Sequence, residues 1–466
     1  MSRLLALAIS ALVAGCVHDQ QFRTDNPGAP DDPRAVLESA AAYQLGFVEF
    51  DDQGWFWDPR QMETVIKTIR SATPALKAGG RKGAVVVLFV HGWKNNAAYD
   101  NGNVQTFRSI LANLSAFETA ESAQEGRDPR KVIGVYAGWR GLSATIEPFK
   151  ELSFYERKDT AHKVGHGALT ELLVRLESLQ RSNNASLNGA RVQADTRGRE
   201  TEFVIIGHSF GGAAVHSAIS QILLRNFFES VDRGYPLKSF GDLVILLNPA
   251  FEASQHEELN DLATHATYAR SQEPVLAVFT SKTDWATKYA FPVGRSLSTA
   301  LESYRTDRPQ RAEDLQTIGN FPSFITHDLV YAPGAKAAAA QAAGAAPAQA
   351  PVIGRAEASD TVGKILFVRR SWQGREANIH PAANQKAAPP ATFTNVVLRP
   401  KATYTSGDPF LIVSVDKEIM NGHDDIANPN LIRFLSEFIV FCRPERPQRP
   451  SAAAQAAPVR LAAPAP

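Results

Sequence analysis

Six apolar runs, broken only by Gly134 and Ser414, limit what this chain can fold into. They cover residues 85–90, 132–136, 203–206, 243–247, 275–279 and 410–415, and consist largely of Val, Ile, Leu and Phe. A short run without polar alternation has two faces to bury, the condition of a strand inside a parallel sheet covered on both sides. Between the runs lie stretches of helical pattern, at 104–117, 160–179, 213–228 and 428–441. This alternation predicts a doubly wound, mostly parallel α/β sheet with helices on both faces, whose ligand sites lie beyond the carboxyl ends of the strands. The last helix opens with Asn428 as N-cap and Pro429 at its first position. Upstream, 47–50 and 55–57 are expected to pair as an antiparallel edge before a helix starting at Pro59.

The 466 residues can bury a core that needs no disulfide or metal staple. Cys16 and Cys442 are the only cysteines, so no disulfide framework or cysteine metal site is expected, and Cys442 reads as a small buried residue. The formal net charge is +1 with no basic block, which argues against a nucleic-acid partner, since phosphate binding needs a basic surface. At the amino end, Arg3 precedes an apolar stretch over 4–14, too short to span a bilayer, which takes roughly 17–25 residues, and so read as an export signal. Val13-Ala14-Gly15-Cys16 resembles a bacterial lipobox, which implies a signal peptide over 1–16 and lipidation of Cys16. The alternative is an ordinary signal peptide ending at a chance cysteine. Val17, in place of aspartate, points to the outer membrane of the cell envelope, facing the periplasm or the surface.

Composition then divides the chain. Residues 17–34 read as a flexible tether, 35–333 as the first part of the core, and 334–407 as a low-complexity insertion with elements able to form a cap. The last strand and helix fall in 408–442, and 443–466 reads as a disordered Ala/Pro-rich tail.

The chemistry centres on Gly207-His208-Ser209-Phe210-Gly211-Gly212. A G-x-S-x-G pattern alone is weak, but here an apolar strand ends at Gly207 and a small-residue helix begins after Gly211. That is the strand–turn–helix setting in which a serine is exposed as a nucleophile, with the next backbone N–H, of Phe210, as an oxyanion donor. The competing reading is a buried glycine turn without catalysis. A general base should follow the last strand, and His423 does so in the loop Asn421-Gly422-His423. His327 is the rival, while His256 and His265 lie in polar helical sequence and read as surface residues. The orienting acid should lie between serine and histidine: Asp284 follows the 275–279 run, with Glu252 as the alternative, and Asp416 is too close to His423.

These segments resemble the α/β-hydrolases of the esterase/lipase group. The resemblance spans about 46–442 without the insertion and includes His91-Gly92-Trp93, Gly138-Trp139-Arg140-Gly141 and Arg157-Lys158 with Ala161. It implies an α/β-hydrolase fold, a Ser209–His423–Asp284 triad, and an oxyanion hole from the N–H groups of Phe210 and Trp93. Trp139 and Arg140 are expected either to line the substrate pocket, with Arg140 meeting an acidic group, or to form a packed turn with an ion pair. The stretch holding Leu142, Ile146, Phe149, Leu152, Phe154 and Tyr155 is either a cap or an irregular loop. His162 and His166 are four apart on a helix, but Lys163 stands where a zinc protease has glutamate, so no metal is expected. No organic cofactor is expected either. The expected activity is hydrolysis of a carboxylic ester, small or lipid, by an enzyme held to the membrane through its lipid anchor. A lipase or phospholipase acting on envelope lipids, and a non-catalytic envelope scaffold, are the other readings; a peptidase is a weaker one. Oligomeric state stays open.

Overall fold

The computed structural model describes residues 18–29, 31–75, 82–143, 149–188, 200–233, 236–268, 272–332, 353–372, 390–402, 404, 407–443 and 460–461. Cys16, the signal segment and the Ala/Pro/Gln tract over 334–351 lie outside them.

In chain order the strands are β1 (Leu37–Ser39), β2 (Tyr43–Phe50), β3 (Ala84–Val90), β4 (Lys131–Trp139), β5 (Glu202–His208), β6 (Leu243–Leu247) and β7 (Ala266–Thr267). They continue with β8 (Leu276–Ser281), β9 (His327–Tyr331), β10 (Ala391–Thr392), β11 (Val396–Pro400), β12 (Phe410–Val415) and β13 (Arg460–Leu461). Among the described residues, eleven strands form one sheet in the order β1-β2-β4-β3-β5-β6-β8-β12-β9-β11-β10. Pairing is parallel from β2 through β9, and antiparallel only at the two margins.

The helices are α1 (Pro59–Ala72), α2 (Gly102–Gln124), α3 (Phe149–His166), α4 (Ala168–Asn188) and α5 (Phe210–Arg233). They are followed by α6 (Glu257–Thr264), α7 (Phe291–Ser298), α8 (Gln310–Leu315), α9 (Arg355–Trp372) and α10 (Pro429–Phe441). Alternate residues of β3 enter different cores. Val86, Leu88 and Val90 pack with α1, α4 and α5, while Val85, Val87 and Phe89 pack with α2, α9 and α10. This is the physical content of an all-apolar strand: neither face meets water. Asn428 caps α10 as expected, its side chain accepting from the Asn430 N–H.

Four expectations change. Residues 43–50 form an inner strand parallel to β4, while Phe56 makes only an isolated bridge to Phe50; β1 supplies the antiparallel edge. Within the supposed insertion, α9 packs against the face that α2 and α10 cover, and β10 and β11 extend the sheet beyond β9, so the described part is core and not a cap. The segment 18–34 is no free tether either. Arg23 is fully buried, its guanidinium bonding Glu38 and the Ala97 carbonyl and lying 3.6 Å from the Phe47 ring centroid. The N–H groups of Phe22 and Arg23 both donate to the Glu49 carboxylate at the end of β2. At the other end, the first residue of the supposed tail, Arg443, pairs with Glu121 and Glu202, and β13 pairs with β7.

Candidate active site

The sheet prepares a crevice. β3 and β5 are neighbours, yet the helix after β3 covers one face and the helix after β5 covers the other. The two connecting loops therefore diverge at the carboxyl edge, which is where doubly wound sheets bind ligands. Ser209 stands in the β5–α5 turn with φ of +56°. That left-handed conformation is costly for a residue with a Cβ and marks backbone strain stored at this turn. The strain is held by the backbone: the Ser209 N–H donates to the Leu247 carbonyl at 2.9 Å, and its own carbonyl accepts from Ala213 and Ala250 at 3.2 Å. Glycine is required nearby. A Cβ on Gly211 would lie 2.2 Å from the Val90 carbonyl oxygen, and one on Gly92 would lie 2.5 Å from Ser209 Cβ.

The side chains of three distant segments meet here. Ser209 Oγ lies 2.6 Å from His423 Nε2, and His423 Nδ1 lies 2.8 Å from Asp284 Oδ2. The network fixes the tautomer: Nδ1–H donates to the carboxylate and Nε2 accepts from the serine hydroxyl. Asp284 is fully buried, and its Oδ1 accepts from the Thr287 N–H at 3.1 Å. Burial alone would lower the His423 pKa, but the Asp284 carboxylate, by charge and hydrogen bond, raises it above the ordinary value. Burial pushes the Asp284 carboxyl up, and the same histidine together with Thr287 brings it below its ordinary value.

The loop that carries His423 is held by residues that sequence reasoning missed. Asn248, directly after β6 and at φ +43°, donates its side-chain amide to the carbonyls of Gly422 (3.1 Å) and His423 (2.9 Å). Its oxygen accepts from the Ser281 N–H at 2.8 Å, tying the loops after β6, β8 and β12 together. Ser281 Oγ donates to the Met420 carbonyl, and His208 Nε2–H donates to the His423 carbonyl at 3.0 Å. The available signal was an asparagine ending an apolar run before Pro249, a place where a left-handed turn favours Asn. His208, His423 and Asp424 bring ligand-type atoms within 4.8 Å of one another. The His423 nitrogens already engage Ser209 and Asp284, and His208 Nε2 engages the His423 carbonyl.

Phe210 opens α5, so its N–H has no acceptor within the helix. Among the described residues no turn or loop carbonyl takes the Phe210 or Trp93 N–H. Their side chains meet around Phe154 of α3, with ring centroids 4.7 Å (Phe210) and 5.4 Å (Trp93) from it. Thus Phe154 packs against the side chains of Phe210 and Trp93 beside Ser209, while Ile146 lies outside the described residues. His91 is structural: its Nε2 accepts from the Trp139 N–H at 2.9 Å, its ring stacks on that indole, and burial lowers its pKa to about 4.

Other sequence candidates sit elsewhere. Trp139 is buried, its indole N–H donating to the His91 carbonyl, and Arg140 pairs with Asp52. This is the arrangement of a packed turn with an ion pair. Glu252 is buried against Lys158 and Arg295, and Asp416 pairs with Lys282 at 2.7 Å. Within β9, His327 is buried between Trp372 and Tyr404. His265 is exposed, but His256 is buried with its ring 5.6 Å from that of Phe410, so its polar sequence neighbours misplace it. His162 Nδ1 meets Ser217 Oγ at 2.8 Å, its ring centroid 6.3 Å from that of His166. A cavity of about 890 Å³ opens at the amino ends of β6 and β8 beside Gln180, Asp242 and Gln272, away from Ser209.

Comparison with protein-family models, with curated proteins and with solved structures gives no match to this chain.

Proposed function

We propose that the chain is a serine hydrolase of the α/β-hydrolase fold, cleaving carboxylic esters through an acyl-enzyme, and that it is anchored to the cell envelope through a lipidated Cys16. The observation that carries the activity is the continuous relay from Ser209 through His423 to buried Asp284, set at a strained strand–helix turn. The fold reading is supported by the β2-β4-β3-β5-β6-β8-β12 order, with the serine after β5, the acid after β8 and the histidine after β12.

Ser209 Oγ attacks the ester carbonyl while His423 Nε2 takes its proton. Asp284 holds the resulting imidazolium, and the N–H groups of Phe210 and Trp93 receive the oxyanion. Such a donor contributes about 3–4 kcal/mol to the transition state. Collapse of the intermediate expels the alcohol, which receives the proton from His423. Water, deprotonated by the same nitrogen, then releases the acid and restores Ser209. Stopped-flow hydrolysis of p-nitrophenyl acetate tests this: a burst of one nitrophenolate per enzyme is expected, lost in Ser209→Ala. Turnover that survives undiminished in Ser209→Ala overturns the proposal.

A further inference from the structure

Beyond the acid of the relay, the chain carries an exposed apolar stripe. Trp285, Tyr289, Val293, Leu297 and Leu301 recur every four residues from the residue after Asp284 to the turn that follows α7, with exposures running from 55% at Tyr289 to 100% at Leu301. Between them Thr287, Phe291 and Gly294 are buried, so the segment has one packed face and one bare apolar face. Other exposed rings stand along the same edge of the sheet. Trp55 and Trp57 after β2 and Tyr99 after β3 are also exposed, and all three follow carboxyl ends of parallel strands, the edge where Ser209 sits. A bare apolar stripe of this length marks a docking surface, and Trp and Tyr rings are favoured where one end is apolar and the other wet.

The route of the chain selects the occupant. Asp19 lies 3.8 Å from Arg140, directly beyond the carboxyl end of β4. Cys16 precedes Asp19 by three residues, which span at most about 10 Å when fully extended. An acyl chain on Cys16 would therefore hold the β4 end of this edge close to the bilayer. In the strand order β4 and β8 are four steps apart, or about 19 Å, and the stripe follows the carboxyl end of β8 on the same edge of the sheet.

We infer that the edge of the molecule beyond the strand carboxyl ends is a phospholipid-docking face, with Trp285 to Leu301 immersed in the interface. Ser209 then opens toward the membrane, and the substrate class is an amphiphilic ester drawn from that leaflet. This rests on the anchored-hydrolase reading above. The face owes its affinity to apolar and aromatic area, so binding is insensitive to salt and needs no anionic lipid.

The test uses the full chain with Cys16→Ser, so that no acyl group at that position contributes. A single added cysteine, Leu301→Cys or Leu297→Cys, is labelled with an environment-sensitive fluorophore; the native Cys442 is buried. Phe228→Cys on α5 is the control, exposed but about 27 Å along the helix from the Ser209 turn. With phosphatidylcholine vesicles carrying doxyl-labelled acyl chains, emission at 297 and 301 is expected to shift blue and be quenched, and emission at 228 is not. Leu297→Asp and Leu301→Asp should each weaken vesicle partitioning by about tenfold. Co-sedimentation without quenching at 297 and 301 would mean that the amino-terminal segment alone holds the protein, and overturns the inference. A blue shift that follows protein concentration without vesicles, with a doubled mass in light scattering, would assign the stripe to a second copy and overturn it too. Fluorophosphonate labelling of the same samples separates the two readings: quenching without a Ser209 adduct retains the docking face and removes the hydrolase.

Discussion

Replacing Asp284 with asparagine changes one atom of the relay, and the neighbours dictate the outcome. The Thr287 N–H keeps its acceptor on the side-chain oxygen, where it now meets Asp284 Oδ1. The new amide nitrogen then faces His423 Nδ1, which at present donates to Oδ2 at 2.8 Å. Two donors cannot meet, so the imidazole moves its proton to Nε2, the nitrogen that must accept from Ser209. The base is present but in the wrong tautomer, a defect of roughly 10⁴ in kcat, or about 5 kcal/mol at 1.36 kcal/mol per decade. KM for a soluble ester should change little, since the substitution is buried. The pH profile supplies an independent sign. Activity needs neutral His423, whose pKa the carboxylate raises above the ordinary 6.5 against burial, so the wild-type acid limb has its midpoint above that value. Without the charge, burial prevails and the midpoint falls below 6.5. Steady-state hydrolysis of p-nitrophenyl acetate from pH 4 to 9 reads both effects. A variant within tenfold of wild type with an unmoved midpoint would refute the assignment, and a large loss in Glu252→Gln would transfer the role to the rival acid.

Three further expectations follow from the same geometry. Asn248→Ala removes the amide that holds the Gly422 and His423 carbonyls, so kcat should fall about tenfold to a hundredfold while the thermal midpoint drops by only a few degrees, because one hydrogen-bonding residue is lost from a large core; equal loss of kcat and folded protein would make its role purely structural. Gly211→Ala drives a Cβ against the Val90 and His91 carbonyls, which are backbone and cannot step aside, so soluble, folded protein should be lost; a normal melting curve would contradict the close packing at the turn. Glu118 is buried among Arg127, Arg130 and Arg443, which, outweighing the burial that would raise it, hold its pKa well below the ordinary carboxylate range. Its contribution is therefore fully present above the unfolded-state pKa and is lost as pH falls, and Glu118→Gln should cost about 3–5 kcal/mol at neutral pH in a urea titration, with the gap to wild type closing in acid.

The strands were readable because burial on two faces leaves a local signature: 85–90, 243–247 and 410–415 each show it without reference to any partner. Ser209, Asp284 and His423 were readable for a related reason, since each stands just after such a run and a parallel sheet gathers its loops at one edge. What composition could not show depends on partners far along the chain. The polar, Pro-containing segment 18–34 looks like a linker until Arg23 finds Glu49 and Ala97, 26 and 74 residues away. His256 looks exposed among Gln255, Glu257 and Glu258, and is buried because Phe410 and Phe324 close over it. Asn248 is an unremarkable strand terminus until the last loop arrives, 174 residues later, to use its amide. The apolar stripe after Asp284 has ordinary helical periodicity, and only the packing shows which face is bare.

The most direct measurement of the central claim is the mass of the protein after incubation with a small fluorophosphonate, followed by peptide mapping. One adduct is expected, on Ser209, absent from Ser209→Ala and formed orders of magnitude more slowly in His423→Ala. A folded wild-type protein that gains no adduct, or gains one that persists in Ser209→Ala, would contradict an activated serine at this turn.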